Sequence, residues 1–127
     1  MRVEVNSSGA PAAIGPYSQA IRAGDLLFIS GQIPLDPDSG LVIAGDVGDQ
    51  THRVMRSLGA ILDAAGASYE HVVRTTIFLT DLGDFAQVNE VYGSYFTAPE
   101  PSRATVEVAA LPKGVSVEID AIAHLPA

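Results

Sequence analysis

Arg103-Ala104-Thr105-Val106-Glu107-Val108, then Leu111-Pro112-Lys113-Gly114, then Val117-Glu118-Ile119-Asp120-Ala121-Ile122-Ala123, sets two alternating segments on either side of a turn. Successive strand residues point to opposite faces, so residues 103–110 and 115–123 read as two β-strands. The short connection predicts that they are antiparallel neighbours. Val106, Val108, Val117, Ile119 and Ala121 then share an apolar face, while Arg103, Thr105, Glu107, Glu118 and Asp120 share the other. Helices are expected against the apolar face, which gives an α+β layer with ionisable groups opposite.

The segments upstream supply those helices and more strands. Phe85, Val88, Tyr92, Tyr95 and Phe96 fall on one helical stripe with Asn89 at its edge, and Asp84 and Gln87 are spaced as a capping box. Val72-Val73-Arg74-Thr75-Thr76-Ile77-Phe78-Leu79-Thr80 is β-branched and bounded by Asp81 and Gly83, the pattern of a long central strand. Val47, Thr51, Val54, Leu58, Ile61, Leu62 and Ala65 recur at helical spacing, with Asp46 as the N-cap and Gly66 just past the end. Gly24-Asp25 separates residues 17–22 from 26–30 as the turn of an early hairpin, after which Pro34, Pro37 and Gly40 break the chain into an irregular loop. Phe78, Ile122 and residues of the Leu26–Ile29 strand add apolar area to the polar sheet face. A rimmed patch of this kind is expected to be covered by another subunit.

With 127 residues, 47% hydrophobic and 17% charged, the chain is expected to form one folded domain over residues 1–127. It holds no apolar run long enough for a bilayer and no secretory leader pattern, so a cytoplasmic location is expected. The absence of cysteine excludes disulfides, thiolate nucleophiles and Cys-ligated metals. Seven basic against fifteen acidic residues, a net charge of −8, would repel a phosphate backbone. Nucleic-acid binding is therefore not expected.

No phosphate-binding Gly-rich loop, zinc-protease helix or nucleophile elbow is present, and His52, His71 and His124 stand isolated. Neither a metal nor a cofactor is expected. Arg103 follows Pro99-Glu100-Pro101-Ser102, which restrict the chain, and enters a strand on the polar face. A guanidinium fixed there suits bidentate carboxylate recognition, and by spacing alone it suits equally well an ion pair with Glu107, Glu118 or Asp120. Glu118, a carboxylate on a covered face, is either a general base with a raised pKa or the counter-charge of Arg103. Tyr17 can donate a hydrogen bond at a site mouth or be an ordinary half-buried tyrosine, and Ser30 reads as a strand-end residue.

An ordered set of motifs along nearly the whole chain resembles the Rid family (reactive intermediate deaminase, YjgF-like), closest to its RidA branch. The motifs are Ala13-Ile14-Gly15-Pro16-Tyr17-Ser18-Gln19-Ala20, Ile29-Ser30-Gly31-Gln32-Ile33-Pro34, Phe78-Leu79-Thr80-Asp81-Leu82 with Val88-Asn89, and Pro101-Ser102-Arg103-Ala104-Thr105-Val106-Glu107-Val108 with Val117-Glu118-Ile119. The resemblance implies a chorismate-mutase-like mixed sheet with two helices on one face, assembled as a homotrimer with sites between subunits. It also implies hydrolysis of enamines and imines such as 2-aminoacrylate, 2-iminopropanoate and 2-iminobutanoate to 2-keto acids and ammonia, a form of metabolite damage control. Arg103 would hold the substrate carboxylate and Glu118 would orient water. Tyr17, Ser30, Gly31, Asn89, Arg103 and Thr105 would line the pocket.

Two departures from the RidA pattern are visible. Thr105 stands where the pattern has cysteine, and the segment between Phe96 and Arg103 is shorter by a few residues. Imine hydrolysis needs no covalent step, so threonine is expected to alter side-chain preference and leave the reaction intact. The rival readings are a non-catalytic binder of small carboxylates in the same cleft, a ribonuclease or translation inhibitor, and a deaminase of a different enamine.

Overall fold

A computed structural model describes all residues from 1 to 127. Eight main elements follow one another: β1 (Arg2–Val5), β2 (Ala20–Ala23), β3 (Leu26–Gln32), α1 (Val47–Ala64), β4 (Val72–Leu79), α2 (Phe85–Gly93), β5 (Ser102–Glu107) and β6 (Val117–His124). The strands form one six-stranded sheet in the order β1-β2-β3-β6-β4-β5. It is mixed, because β4 and β5 run parallel and every other pair is antiparallel.

Both helices bury their apolar stripes on one face. Val54, Leu58, Ile61 and Leu62 of α1 and Val88 and Tyr92 of α2 meet Leu27, Ile29, Ile77, Leu79, Val117, Ile119 and Ala121 from alternate strand positions in a single core. Burial of this apolar surface is the main stabilising contribution, and β6 illustrates it, alternating buried and half-buried residues from Val117 to Ala123. The N-terminus of α1 is closed by a reciprocal pair: Asp46 accepts from the Asp49 amide at 2.9 Å and Asp49 accepts from the Asp46 amide at 3.0 Å. The Asp49 amide, and then the Gln87 side chain, donate to the Asp46 carboxyl and hold it below its ordinary pKa. The early hairpin forms as expected, with Gly24 in the left-handed region (φ 61°) at its turn.

Three expectations are corrected. First, β5 and β6 are not neighbours, because β4 lies between them. The end of β4 occupies the gap, Thr80 donating to the Ser116 carbonyl (3.3 Å) while Val108 donates to that of Leu79 (2.8 Å). Leu111–Gly114 therefore bridges over a strand, and β5, entering after α2, pairs parallel as a β-α-β crossover requires. Second, the face assignment of β5 inverts. Arg103 and Thr105 pair with Thr75 and Ile77, buried on the helix side, and Val106 pairs with Phe78 on the open side, where it is 41% exposed. Glu118 and Asp120 face the open side with Phe78 and Thr76. Third, Asp84 makes no side-chain cap on α2, and Gln87 instead donates across to Asp46 at 3.1 Å. Strand β1, with only four residues, was not foreseen; it gains its place by pairing with β2.

The open face of the sheet carries Leu26, Phe28 and Val106, each at least 38% exposed. None of the helices is long and apolar enough to cross a membrane.

Candidate functional site

Arg103 emerges from the start of the edge strand β5 onto the side where α2 lies. Its Nη1 donates to Asn89 Oδ1 at 2.6 Å. The guanidinium carbon stands 5.1 Å from the centroid of the Tyr92 ring and 5.6 Å from that of Phe85. Phe85, Asn89 and Tyr92 come from one stripe of α2, because residues spaced by three and four share a helix face. Asn89, Tyr92, Arg103, Glu100 and Pro101 line a shallow cleft of about 250 Å³.

The ion pair left open by spacing does not form. No Lys or Arg side chain lies within ion-pair distance of an Asp or Glu carboxylate; the one His–carboxylate contact is His71 Nε2 with Glu70 at 3.7 Å. Glu107 accepts instead from the Leu82 amide (2.9 Å) and Asp120 from the Thr76 amide (3.1 Å). The Nε–Nη2 edge of Arg103 is left without a partner, a planar fork matched in geometry to a carboxylate.

Thr105 lies on the same face two register steps along, and its Oγ1 is buried with no hydrogen-bond partner. A buried hydroxyl is ordinarily paired, so this one is either a cost or a contact awaiting a ligand.

Glu118 belongs to the other face. It is half-buried, and burial first, then the neighbouring Asp120 carboxylate, push its pKa above the ordinary glutamate value. Gly31 opens the space it occupies: a Cβ there would collide with the Glu118 carboxylate. Gly31 sits where the pairing of β3 with β6 slips between Ile29 and Gln32, a bulge that turns backbone toward the carboxylate. Ser30 spends its hydroxyl on the Ser18 carbonyl (2.6 Å), fixing the bulge to the incoming chain. Tyr17 is 53% exposed and lines, with Gly31, Ile14, Ile33 and Lys113, a second cavity of about 380 Å³.

The expected site residues therefore fall into two groups: Arg103, Asn89 and Thr105 on the helix side of the sheet edge, and Tyr17, Ser30, Gly31 and Glu118 around β3 and β6. Two strand spacings and three register steps separate Arg103 from Glu118, roughly 10 Å in each direction before the change of face is counted. One small substrate cannot touch both within a chain.

Sequence reading missed three supporting residues, Tyr92, Thr75 and Gln19. Tyr92 was assigned to the core stripe, which it does join, but it also underlies Arg103. Its hydroxyl is paired with Thr75 Oγ1 at 2.7 Å, and burial raises its pKa. Gln19, 4% exposed, binds the Ser7 amide through Oε1 (2.7 Å) and the carbonyls of Ser7, Ala10 and Pro11 through Nε2, tying down the loop that leads to Tyr17. The i, i+4, i+7 spacing of Phe85, Asn89 and Tyr92 was the available signal for the first; nothing local marks Gln19. No group of three or more His, Asp or Glu side chains converges as a metal site.

The family model described as Endoribonuclease L-PSP matches residues 7–125. Protein DfrA of Myxococcus xanthus is 61% identical over 124 residues, covering 96% of this chain and 95% of that protein. The 2-iminobutanoate/2-iminopropanoate deaminase of Mus musculus is 48% identical over 123 residues, covering 97% and 91% respectively. The crystal structure of E. coli TdcF with bound serine superposes with a TM-score of 0.93 at 44% identity, covering 98% of this chain and 99% of that one.

Proposed function

The chain belongs to the Endoribonuclease L-PSP (YjgF/RutC/Rid) family, and from that premise we propose that it is a deaminase hydrolysing 2-iminobutanoate, 2-iminopropanoate and the enamine 2-aminoacrylate to 2-keto acids and ammonia. The observation that carries the reading is the Arg103 fork: a guanidinium braced by Asn89 and two aromatic rings, with no carboxylate of its own. The mouse relative named for this reaction and the serine-bound relative, whose ligand is a three-carbon amino acid, support a small 2-substituted carboxylate as the ligand class.

In the proposed mechanism Arg103 holds the substrate carboxylate through two charge-assisted hydrogen bonds, with the Thr105 hydroxyl beside it. An imine carbon next to a carboxylate is already electrophilic, so positioning and a water suffice. Glu118 takes a proton from that water as its oxygen bonds to the imine carbon and passes that proton to the nitrogen, giving the carbinolamine. The carbinolamine hydroxyl then gives its proton to Glu118, which delivers it to the amine as the C–N bond breaks, releasing ammonia and leaving the keto acid. A pKa above the ordinary glutamate value suits a group that both accepts and returns a proton. Tyr17, Ser30, Gly31 and Asn89 shape the pocket.

Because Arg103 and Glu118 lie on opposite faces, the site is completed by a second copy. A cytoplasmic homotrimer of chains that are each one domain over residues 1–127, with Leu26, Phe28 and Val106 buried between subunits, accommodates this. A ribonuclease is disfavoured by the net charge of −8.

The test is keto-acid release when 2-aminoacrylate or 2-iminobutanoate is generated in situ by a dehydratase. Acceleration by the protein is expected. Arg103→Ala should lower kcat/KM roughly 10- to 100-fold, the worth of a charged hydrogen bond, and Glu118→Ala should lower kcat by about 10²-fold or more. Binding of 2-oxobutanoate without any acceleration would identify a carboxylate binder instead.

A further inference from the structure

We propose that Phe85 and Tyr92 are positioning residues that fix the plane of the Arg103 guanidinium, so that it meets a planar carboxylate as a preset fork rather than a mobile charge. The inference deepens the reading above and rests on Arg103 being the anchor.

An arginine on an edge strand has four side-chain torsions to restrain, and proteins commonly do so with a carboxylate. Here that device would defeat the purpose, since an internal carboxylate would occupy the N–H groups that a substrate carboxylate needs. Ring faces restrain a cation without consuming a donor. Both rings lie within 6 Å of the guanidinium carbon, and the one conventional bond uses Nη1 on neutral Asn89.

The inner ring is itself locked. Tyr92 is 4% exposed, and its hydroxyl meets Thr75, 1% exposed, at 2.7 Å. Thr75 is the register partner of Arg103 across β4 and β5. Backbone pairing sets where the Arg103 stem leaves the sheet, and the neighbour in that pair fixes the ring on which its head rests. This closed circuit of Thr75, Tyr92 and Arg103 distinguishes positioning from a side chain merely draped over an apolar surface.

The experiment measures steady-state turnover of 2-iminobutanoate generated in situ and calorimetric binding of 2-oxobutanoate. Phe85→Leu, Tyr92→Leu and Tyr92→Phe are each compared in the wild-type and Arg103→Ala backgrounds. Phe85 is 40% exposed, so Phe85→Leu tests the idea even if Tyr92→Leu fails to fold. Phe85→Leu is expected to raise KM and the Kd of 2-oxobutanoate about 3- to 10-fold with kcat nearly unchanged, the scale of a partly desolvated cation–π contact. Tyr92→Phe should retain most of the affinity by keeping the ring. In the Arg103→Ala background none of the three should weaken binding further, because their effect passes through Arg103. Equal losses in both backgrounds, or no loss with Phe85→Leu while Arg103→Ala is strongly impaired, would overturn the proposal and leave the anchor standing. If Arg103→Ala itself leaves KM and Kd unmoved, the anchor reading fails and takes this inference with it.

Discussion

Arg103 and Glu118 stand on opposite faces of one sheet, two strands apart, Arg103 against α2 and Glu118 on the side free of helices. The proposed site, which uses both, must draw them from different copies, and in the proposed homotrimer each chain would offer one half to each of two neighbours. Oligomerisation would then be a condition of activity rather than an accessory to it.

Subunit mixing tests that relationship directly. Arg103→Ala and Glu118→Ala homo-oligomers are each expected to be strongly impaired, assayed at substrate concentrations below KM. Co-refolded at equal amounts, they should recover roughly a quarter of wild-type activity, the share of interfaces in a random cyclic trimer that join two intact halves. No recovery, despite mixed oligomers by native mass spectrometry, would place both residues in one chain's site.

Glu118 should trade stability for function. Its raised pKa means that the folded state favours the protonated carboxyl. The stability this contributes is complete below the ordinary value of 4.5 and is lost as pH rises through the raised one. Glu118→Gln, neutral throughout, is therefore expected to equal wild type in Tm near pH 4 and to exceed it at pH 7, while kcat falls by about 10²-fold. The acid limb of the wild-type kcat profile should have its midpoint above 4.5, as scanning calorimetry and initial rates would show.

Gly31 is required for space, not for backbone freedom, since its φ is not positive. Gly31→Ala puts a methyl group where the Glu118 carboxylate sits. That carboxylate is the free end of a side chain and can swing away, so the fold should survive. Turnover should fall by at least about tenfold through misplacement of the proton-transfer group, with Tm lowered by only a few degrees.

The local rules in the sequence were sufficient for most elements. Asp46 with a repeating apolar stripe gave α1, and Gly24-Asp25 gave the β2–β3 turn, because capping and turn formation depend on residues close in the chain. Strand order did not follow from the same rules. The alternation in residues 103–108 and 117–123 was real, but which strand lay beside which depended on β4 inserting between them, a long-range pairing that no local spacing encodes. That one topological error carried Arg103 and Thr105 to the wrong face. The motif residues were found by resemblance, whereas Tyr92 and Thr75 behind Arg103 read as ordinary core and strand positions.

The Asp46 cap carries its own pH signature. Its lowered pKa contributes stability that is present above 3.8 and lost as pH falls through the lower folded value. Asp46→Ala should reduce Tm by roughly 4 °C at pH 7. The gap to wild type should narrow as the pH is taken below 3.8, which thermal denaturation by circular dichroism would follow.

Thr105 separates a structural from a functional hydroxyl. Its Oγ1 is buried with no partner in the chain, so in the absence of ligand it is a cost to the folded state. Thr105→Val replaces the hydroxyl with a methyl of similar size, and the free protein should gain on the order of 1 kcal/mol in denaturant titrations. If the hydroxyl meets the substrate carboxylate held by Arg103 on the same face, the same change should weaken 2-oxobutanoate binding by roughly tenfold. Thr105→Cys, which restores the residue of the RidA pattern, should keep turnover within a few-fold and add sensitivity to alkylating agents. A Thr105→Val protein that is more stable and binds 2-oxobutanoate as tightly as wild type would remove Thr105 from the site. Opposite signs of the two effects, stability rising while affinity falls, would mark a hydroxyl left unpaired for the ligand.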